Sequence, residues 1–174
     1  MNKTLLTVLV VLLSACGGGG VEEVDISIVD DLTLETSASS NNTSDDGVNL
    51  ESFNMDPNTV NPAIDGGAFE ISWEASNFSS GYYARLLFSL DTSPSDGDAV
   101  VFAEFCSTDD CGQTEVTTTC FFTSSNVMSC LGFGGVNLSS FIPALPVDAF
   151  LILQLCDDPE FTSCSNEFEA ALLL

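Results

Sequence analysis

Carboxylates dominate the side chains of this chain that could do chemistry. Its 174 residues include 26 Asp and Glu, 2 Lys and Arg and no His, which gives a formal net charge of −24 at pH 7. Serines are abundant, but no histidine is present to act as their base and the Gly-x-Ser-x-Gly motif is absent. A glycosidase needs two carboxyl groups that face each other across a sugar, and in so acidic a chain some pair meets that spacing by chance. Glu70 and Glu74 are instead expected to lie on a solvated face of one strand. The sequence therefore predicts a protein that is not an enzyme.

Acidic clusters in predicted loops are the candidates for binding a hard cation such as calcium. The clusters are Asp91, Asp96 and Asp98; Asp109 and Asp110; and Asp157, Asp158 and Glu160. The EF-hand pattern fails after Asp91, because Asp96 occupies the position that requires glycine. Ordinary acidic turns are the alternative explanation. If calcium binds, the expected ligands are Asp96, Asp98 and Asp109, and no other cofactor is predicted.

The first residues have the pattern of an export signal. After Lys3, an uncharged apolar run extends from Leu5 to Leu13. This run is shorter than the roughly 20 residues of a membrane-spanning helix, but it has the length of the apolar region in a signal peptide. A cleaved export signal is therefore expected at residues 1–15.

The end of the signal, Leu13-Ser14-Ala15-Cys16, resembles the lipobox of bacterial lipoproteins. The resemblance implies cleavage before Cys16, a diacylglycerol on its thiol and acylation of the new amino terminus. Two or more acyl chains anchor a protein stably. Gly17 follows in place of the Asp that retains lipoproteins in the inner membrane, so the resemblance implies a lipid-anchored envelope protein of the outer membrane. An ordinary cleaved signal peptide with an incidental Cys16 is the alternative.

Six further cysteines form three pairs of neighbours in the sequence. The pairs are Cys106 and Cys111, Cys120 and Cys130, and Cys156 and Cys164, each around a short polar or glycine-containing stretch. An even number of cysteines in an exported chain predicts disulfides, and the spacing favours these three pairings. A zinc site is the alternative, but the chain has no CxxC motif and no histidine.

The acidity also restricts the partners. Cleavage of the signal removes Lys3 and leaves Arg85 as the one cation of the mature chain. Nucleic-acid binding requires several cations and is not expected. A polybasic membrane patch is also absent, so the lipid is the expected membrane attachment. An envelope protein, a glycan or a basic partner are the candidate ligands. Arg85 is expected to pair with a carboxylate, with ligand recognition as the alternative.

Composition divides the chain into three parts: the signal at 1–15, a lipidated flexible tether at 16–47 and a domain at 48–174. Glycines at 17–20 and small polar residues at 36–47 indicate the tether. Between them, in the segment 24–34, Val24, Ile26 and Ile28 alternate with polar residues, and so do Leu32 and Leu34. This segment could be a strand of the domain or a part of the tether.

The domain has a hydrophobic period of two, as in β-strands. Phe69, Ile71 and Trp73 are expected to face the core. In the next strand, one face is expected to carry Tyr82, Ala84, Leu86, Phe88 and Leu90, and the other face Tyr83, Arg85, Leu87 and Ser89. Further strands are expected at 99–106, 115–122, 127–133, 147–156 and 163–173, with the last four forming two hairpins. Trp73, Tyr82 and Tyr83 could instead form an aromatic platform for sugars.

These strands predict an all-β fold, an antiparallel β-sandwich with local disulfides, with a small β-barrel as the alternative. The segments Phe69–Trp73 and Tyr82–Leu86 resemble strands B and C of fibronectin type III or immunoglobulin-like domains. The expected function is that of a non-enzymatic envelope lipoprotein with a structural or binding role. The alternative is a calcium-dependent adhesion or carbohydrate-binding module.

Overall fold

The structure is a computed structural model that describes residues 38–40, 47–111, 115–130 and 132–174. Cys16 and the alternating segment at 24–34 lie outside these residues. The described chain forms a 3-10 turn at Asp65–Gly67, a single helical turn, α1, and eleven strands. Their bounds are β1 Ala38–Ser40, β2 Asn49–Asp56, β3 Thr59–Val60, β4 Ala68–Ser76, β5 Gly81–Ser89, β6 Ala99–Ser107, α1 Thr108–Cys111, β7 Val116–Phe122, β8 Val127–Cys130, β9 Val136–Asn137, β10 Val147–Cys156 and β11 Cys164–Leu173.

The strands form two sheets. The first has the order β1-β11-β10-β5-β6, and β3 pairs in parallel with the end of β11. The second has the order β2-β4-β7-β8-β9, and its strand pairs are antiparallel. The predicted all-β fold is confirmed. The small β-barrel is wrong, because the sheets are open and do not close on each other.

Alternate residues of both sheets contribute to one hydrophobic core. Phe69, Ile71 and Trp73 of β4 are buried, as the period of two predicts. Tyr82, Ala84, Leu86 and Phe88 of β5 are buried as well. Leu90 was expected on the same face, but β5 ends at Ser89 and the Leu90 side chain is 48 % exposed.

A buried hydrogen bond joins the two sheets inside this core. The indole N–H of Trp73, on β4, donates to the Tyr82 hydroxyl oxygen, on β5, at 3.0 Å. Phe102 of β6 packs against the same indole, with ring centroids 6.5 Å apart. Because buried polar groups need partners, this bond allows two large amphipathic side chains to lie at the centre of the domain.

Strand β2 was not expected from the sequence. The register between β2 and β4 shifts between Leu50 and Ser52, and Glu51 is the extra residue. Such a bulge places Leu50 and Phe53 on the same face although they are three residues apart. Strict alternation of buried and exposed residues therefore does not predict this strand. Ala38–Ser40, in the segment predicted as tether, pairs as a short edge strand with Phe168 to Asn166 of β11.

All three predicted disulfides are formed. Cys120 and Cys130 face each other across β7 and β8, with Cα atoms 4.0 Å apart. Cys156 and Cys164 face each other across β10 and β11 at 4.2 Å. Cys106 lies near the end of β6 and forms a disulfide with Cys111, the last residue of α1, with Cα atoms 5.4 Å apart. The two predicted hairpins are therefore confirmed together with their disulfides.

Candidate functional site

The predicted calcium ligands lie at opposite ends of one strand. Asp96 and Asp98 lie in the loop before β6, whereas Asp109 is exposed in α1, directly after β6. Nine residues of extended chain between them span roughly 26 Å. The structure therefore does not bring Asp109 together with the other two. In the ranges that the structure describes, no three His, Cys, Asp or Glu side chains are grouped to hold a metal ion.

Several of the loop carboxylates accept hydrogen bonds from nearby backbone N–H groups. Asp98 accepts from the Ser95 N–H at 2.7 Å, and Asp91 accepts from the Ser93 N–H at 2.8 Å. Such bonds hold tight turns in place. Asp91 and Asp98 therefore belong to ordinary acidic turns, as the alternative prediction states.

The loop between β10 and β11 is organised by its own acids. Asp158 accepts hydrogen bonds from the N–H of Thr162 at 3.1 Å and of Ser163 at 3.0 Å. The pKa of this carboxyl is lowered, chiefly because the Thr162 N–H stabilises its charged form. Asp157 accepts from the N–H of Val48 at 3.1 Å and so ties the loop to the start of β2. This loop is therefore a structured element of the domain.

The predicted aromatic platform is not formed as expected, because Trp73 and Tyr82 are buried in the core. Tyr83 lies on the opposite face of β5 and contacts two other aromatic rings. Its centroid is 5.0 Å from that of Phe105 and 6.4 Å from that of Phe161. The Phe105 side chain is 50 % exposed. The structure thus has an aromatic surface, but it shares only Tyr83 with the predicted one.

Arg85 lies beside these rings. Its Nε and one terminal nitrogen donate to the Gln154 amide oxygen at 3.0 and 2.6 Å, and its Cζ atom is 4.3 Å from the Phe161 centroid. Burial lowers the pKa of the guanidinium, while the negative charges of Asp96 and Asp98 oppose that shift. The group stays protonated at neutral pH, because a guanidinium is not deprotonated in proteins. These two hydrogen bonds join the guanidinium to an amide, and the expected pairing of Arg85 with a carboxylate stays a prediction.

We call Tyr83, Arg85, Phe105, Gln154 and Phe161 the aromatic–arginine cluster. Three adjacent strands position it, because Tyr83 is the register partner of Phe105 on β6 and Arg85 is the partner of Gln154 on β10. Directly facing residues of neighbouring strands have side chains in contact. The cluster lies on the face of the first sheet that points away from Trp73.

Two backbone features complete the cluster. Gly81 has a φ of 129°, and any side chain there would collide with the Phe105 ring and the Cys106 carbonyl. A glycine is therefore needed where that ring lies against β5. Phe161 has a φ of 55° in the loop that Asp158 organises and the Cys156–Cys164 disulfide closes. With this backbone conformation in the loop, the Phe161 ring lies over the guanidinium of Arg85.

Only part of the cluster was predictable. The alternation of β5 puts Tyr83 and Arg85 on the face opposite the core, and Phe105 alternates with the buried Cys106 in the same way. No local pattern links Gln154 to Arg85, since 69 residues separate them. Phe161 lies in a loop, where periodicity carries no information.

Comparison with protein-family models, with curated proteins and with solved structures gives no match for this chain. No helix in the described part of the chain has the length and hydrophobicity required to cross a membrane.

Proposed function

We propose that the protein is a non-enzymatic lipoprotein of the cell envelope, anchored through Cys16 and presenting one disulfide-containing β domain for binding. The observation that carries this proposal is the division of the seven cysteines. Six pair with each other in the domain, and the seventh is the cysteine of the lipobox-like sequence. Disulfides form in oxidising compartments outside the cytoplasm, and a lipobox implies the same export route.

The chemistry of the domain supports a binding role over catalysis. The chain has no histidine, and its later cysteines are in disulfides. The loop carboxylates Asp91, Asp98 and Asp158 accept backbone hydrogen bonds within their own turns. A general acid or base must instead reach a substrate.

We infer further that the domain is a β-sandwich of the fibronectin type III or immunoglobulin-like kind. The order β2-β4-β7 corresponds to strands A, B and E of such domains, and the order β5-β10-β11 corresponds to strands C, F and G. One strand departs from the pattern. In the sheet, β8 lies next to β7, where strand D lies next to strand E, but β8 follows β7 in the chain, whereas strand D precedes strand E. The disulfides also differ from the immunoglobulin inter-sheet pair, since two of them join neighbouring strands.

Replacement of the lipobox cysteine tests the anchor. We expect a Cys16→Ser variant to incorporate no labelled palmitate and to leave the membrane fraction, because no thiol is present to receive the diacylglycerol. The wild-type protein should be labelled and should sediment with membranes. A Ser14→Ala variant, which keeps the thiol, serves as the matched control and should behave like the wild type. Palmitate labelling of Cys16→Ser, or an unlabelled wild-type protein, would contradict the proposal.

A further inference from the structure

The aromatic–arginine cluster exposes side chains that the core does not use. Phe105 is 50 % exposed, and Tyr83, Arg85 and Phe161 are each partly exposed. Aromatic surface in contact with water is unfavourable, and grouped exposed aromatic residues commonly mark binding sites. The cluster is held by cross-strand pairing, by a glycine under Phe105 and by a structured loop, so its geometry does not depend on a ligand.

The charges around the cluster select the class of ligand. The chain carries a formal net charge of −24, which opposes the approach of an anion. The guanidinium of Arg85, next to the rings, opposes the entry of a cation. A neutral ligand avoids both penalties. It must also combine an apolar face for the rings with hydroxyl groups for the polar side chains.

We propose that the aromatic–arginine cluster binds a neutral glycan. The C–H face of a pyranose ring packs on the rings of Phe105 and Tyr83, whose π faces are electron-rich. A guanidinium has five N–H donors, and Gln154 accepts from two of its nitrogens, so Arg85 also has donors for sugar hydroxyls. The Tyr83 hydroxyl can donate or accept at the edge of the same surface. This inference names the ligand class of the binding role proposed above and rests on it.

Calorimetric titration with soluble oligosaccharides tests the inference. The full-length protein, in a detergent without a sugar headgroup, is titrated with cello-, chito- and malto-oligosaccharides. We expect at least one of these neutral series to bind, and Phe105→Ala to weaken that binding by about tenfold or more, since truncation of an aromatic anchor removes a central contact. Phe105→Trp, which keeps an aromatic ring, should retain binding.

Phe121→Ala is the matched control, because Phe121 is a 39 % exposed phenylalanine on the other sheet. This variant should bind as the wild type does, and equal melting temperatures of the two alanine variants would exclude misfolding as the cause of a loss. Absence of binding by all three series overturns the inference, as does binding that Phe105→Ala leaves unchanged. Preferential binding of oligogalacturonate, an anion, or of oligolysine, a cation, also overturns the inference, because the ligand would then be charged. None of these results depends on acylation of Cys16, so the anchor and the ligand class fail separately.

Discussion

At the scale of single residues, two large side chains at the centre of the core satisfy each other's polar groups. Trp73 and Tyr82 are 1 % and 0 % exposed, and the indole N–H of Trp73 has the Tyr82 oxygen as its acceptor. Burial raises the pKa of the Tyr82 hydroxyl, because an ionised phenolate would lose its hydration there. Tyr82 therefore serves the core as a neutral hydrogen-bonding group.

Removal of the Tyr82 hydroxyl should destabilise the domain. In Tyr82→Phe the Trp73 N–H keeps its buried position but loses its acceptor, and an unsatisfied buried donor costs about 1 to 3 kcal/mol. We expect the free energy of unfolding in urea to fall by that amount. Tyr83→Phe is the control, because Tyr83 is partly exposed and lies outside the hydrophobic core; this variant should change stability little. Equal losses in both variants would contradict the assigned role of the Trp73–Tyr82 bond.

At the scale of elements, disulfides reinforce strand pairs that are already in register. Cys120 and Cys130 are directly opposite on β7 and β8, and their side chains are buried. The hairpin that they close is short, because the two cysteines have a sequence separation of 10. Closing such a loop lowers the entropy of the unfolded chain, which favours the folded state.

A Cys120→Ala/Cys130→Ala double variant should lose about 2 to 3 kcal/mol of unfolding free energy, from the chain entropy of the opened loop. The double variant Cys156→Ala/Cys164→Ala opens a loop of similar length and serves for comparison. Only this second pair closes the loop of Phe161, so only its removal should also weaken oligosaccharide binding. Mass spectrometry of the unreduced, alkylated wild-type protein checks the premise. Alkylation at two or more of the six domain cysteines would contradict it.

At the scale of the whole molecule, like-charge repulsion opposes folding. The chain has 26 acidic and 2 basic residues, so the compact state concentrates negative charge. Added salt reduces the Debye length from about 30 Å at 0.01 M to about 8 Å at 0.15 M ionic strength. Screening should therefore stabilise this domain.

We expect the melting temperature to rise when NaCl is added over that range, because the folded state gains more from screening than the expanded chain. Equal concentrations of MgCl₂ and CaCl₂ then separate screening from a specific site. Equal shifts with the two salts are expected if divalent cations only screen, whereas a calcium site of the predicted kind would favour calcium through its larger coordination number. A melting temperature that falls with NaCl would contradict the assigned role of repulsion.

Local patterns accounted for most of the fold. Alternation placed Phe69, Ile71 and Trp73 in the core, and spacing alone paired the six domain cysteines, because a disulfide between strand neighbours needs only a short turn. Alternation does not predict strand β2, because its bulge at Glu51 breaks the period of two. The short strands β3 and β9, with two residues each, are too brief to show a period.

The acidic composition, the all-β class and the disulfide pairs are properties that the amino-acid sequence determines by itself, and the export signal that it predicts also depends only on neighbouring residues. The order of the strands and the aromatic–arginine cluster depend on tertiary structure. Arg85 meets Gln154 only because β5 pairs with β10, and Phe161 reaches Arg85 only because a closed loop carries its ring there. Contacts between residues far apart in the chain follow from the packing of whole strands, and local spacing does not encode them.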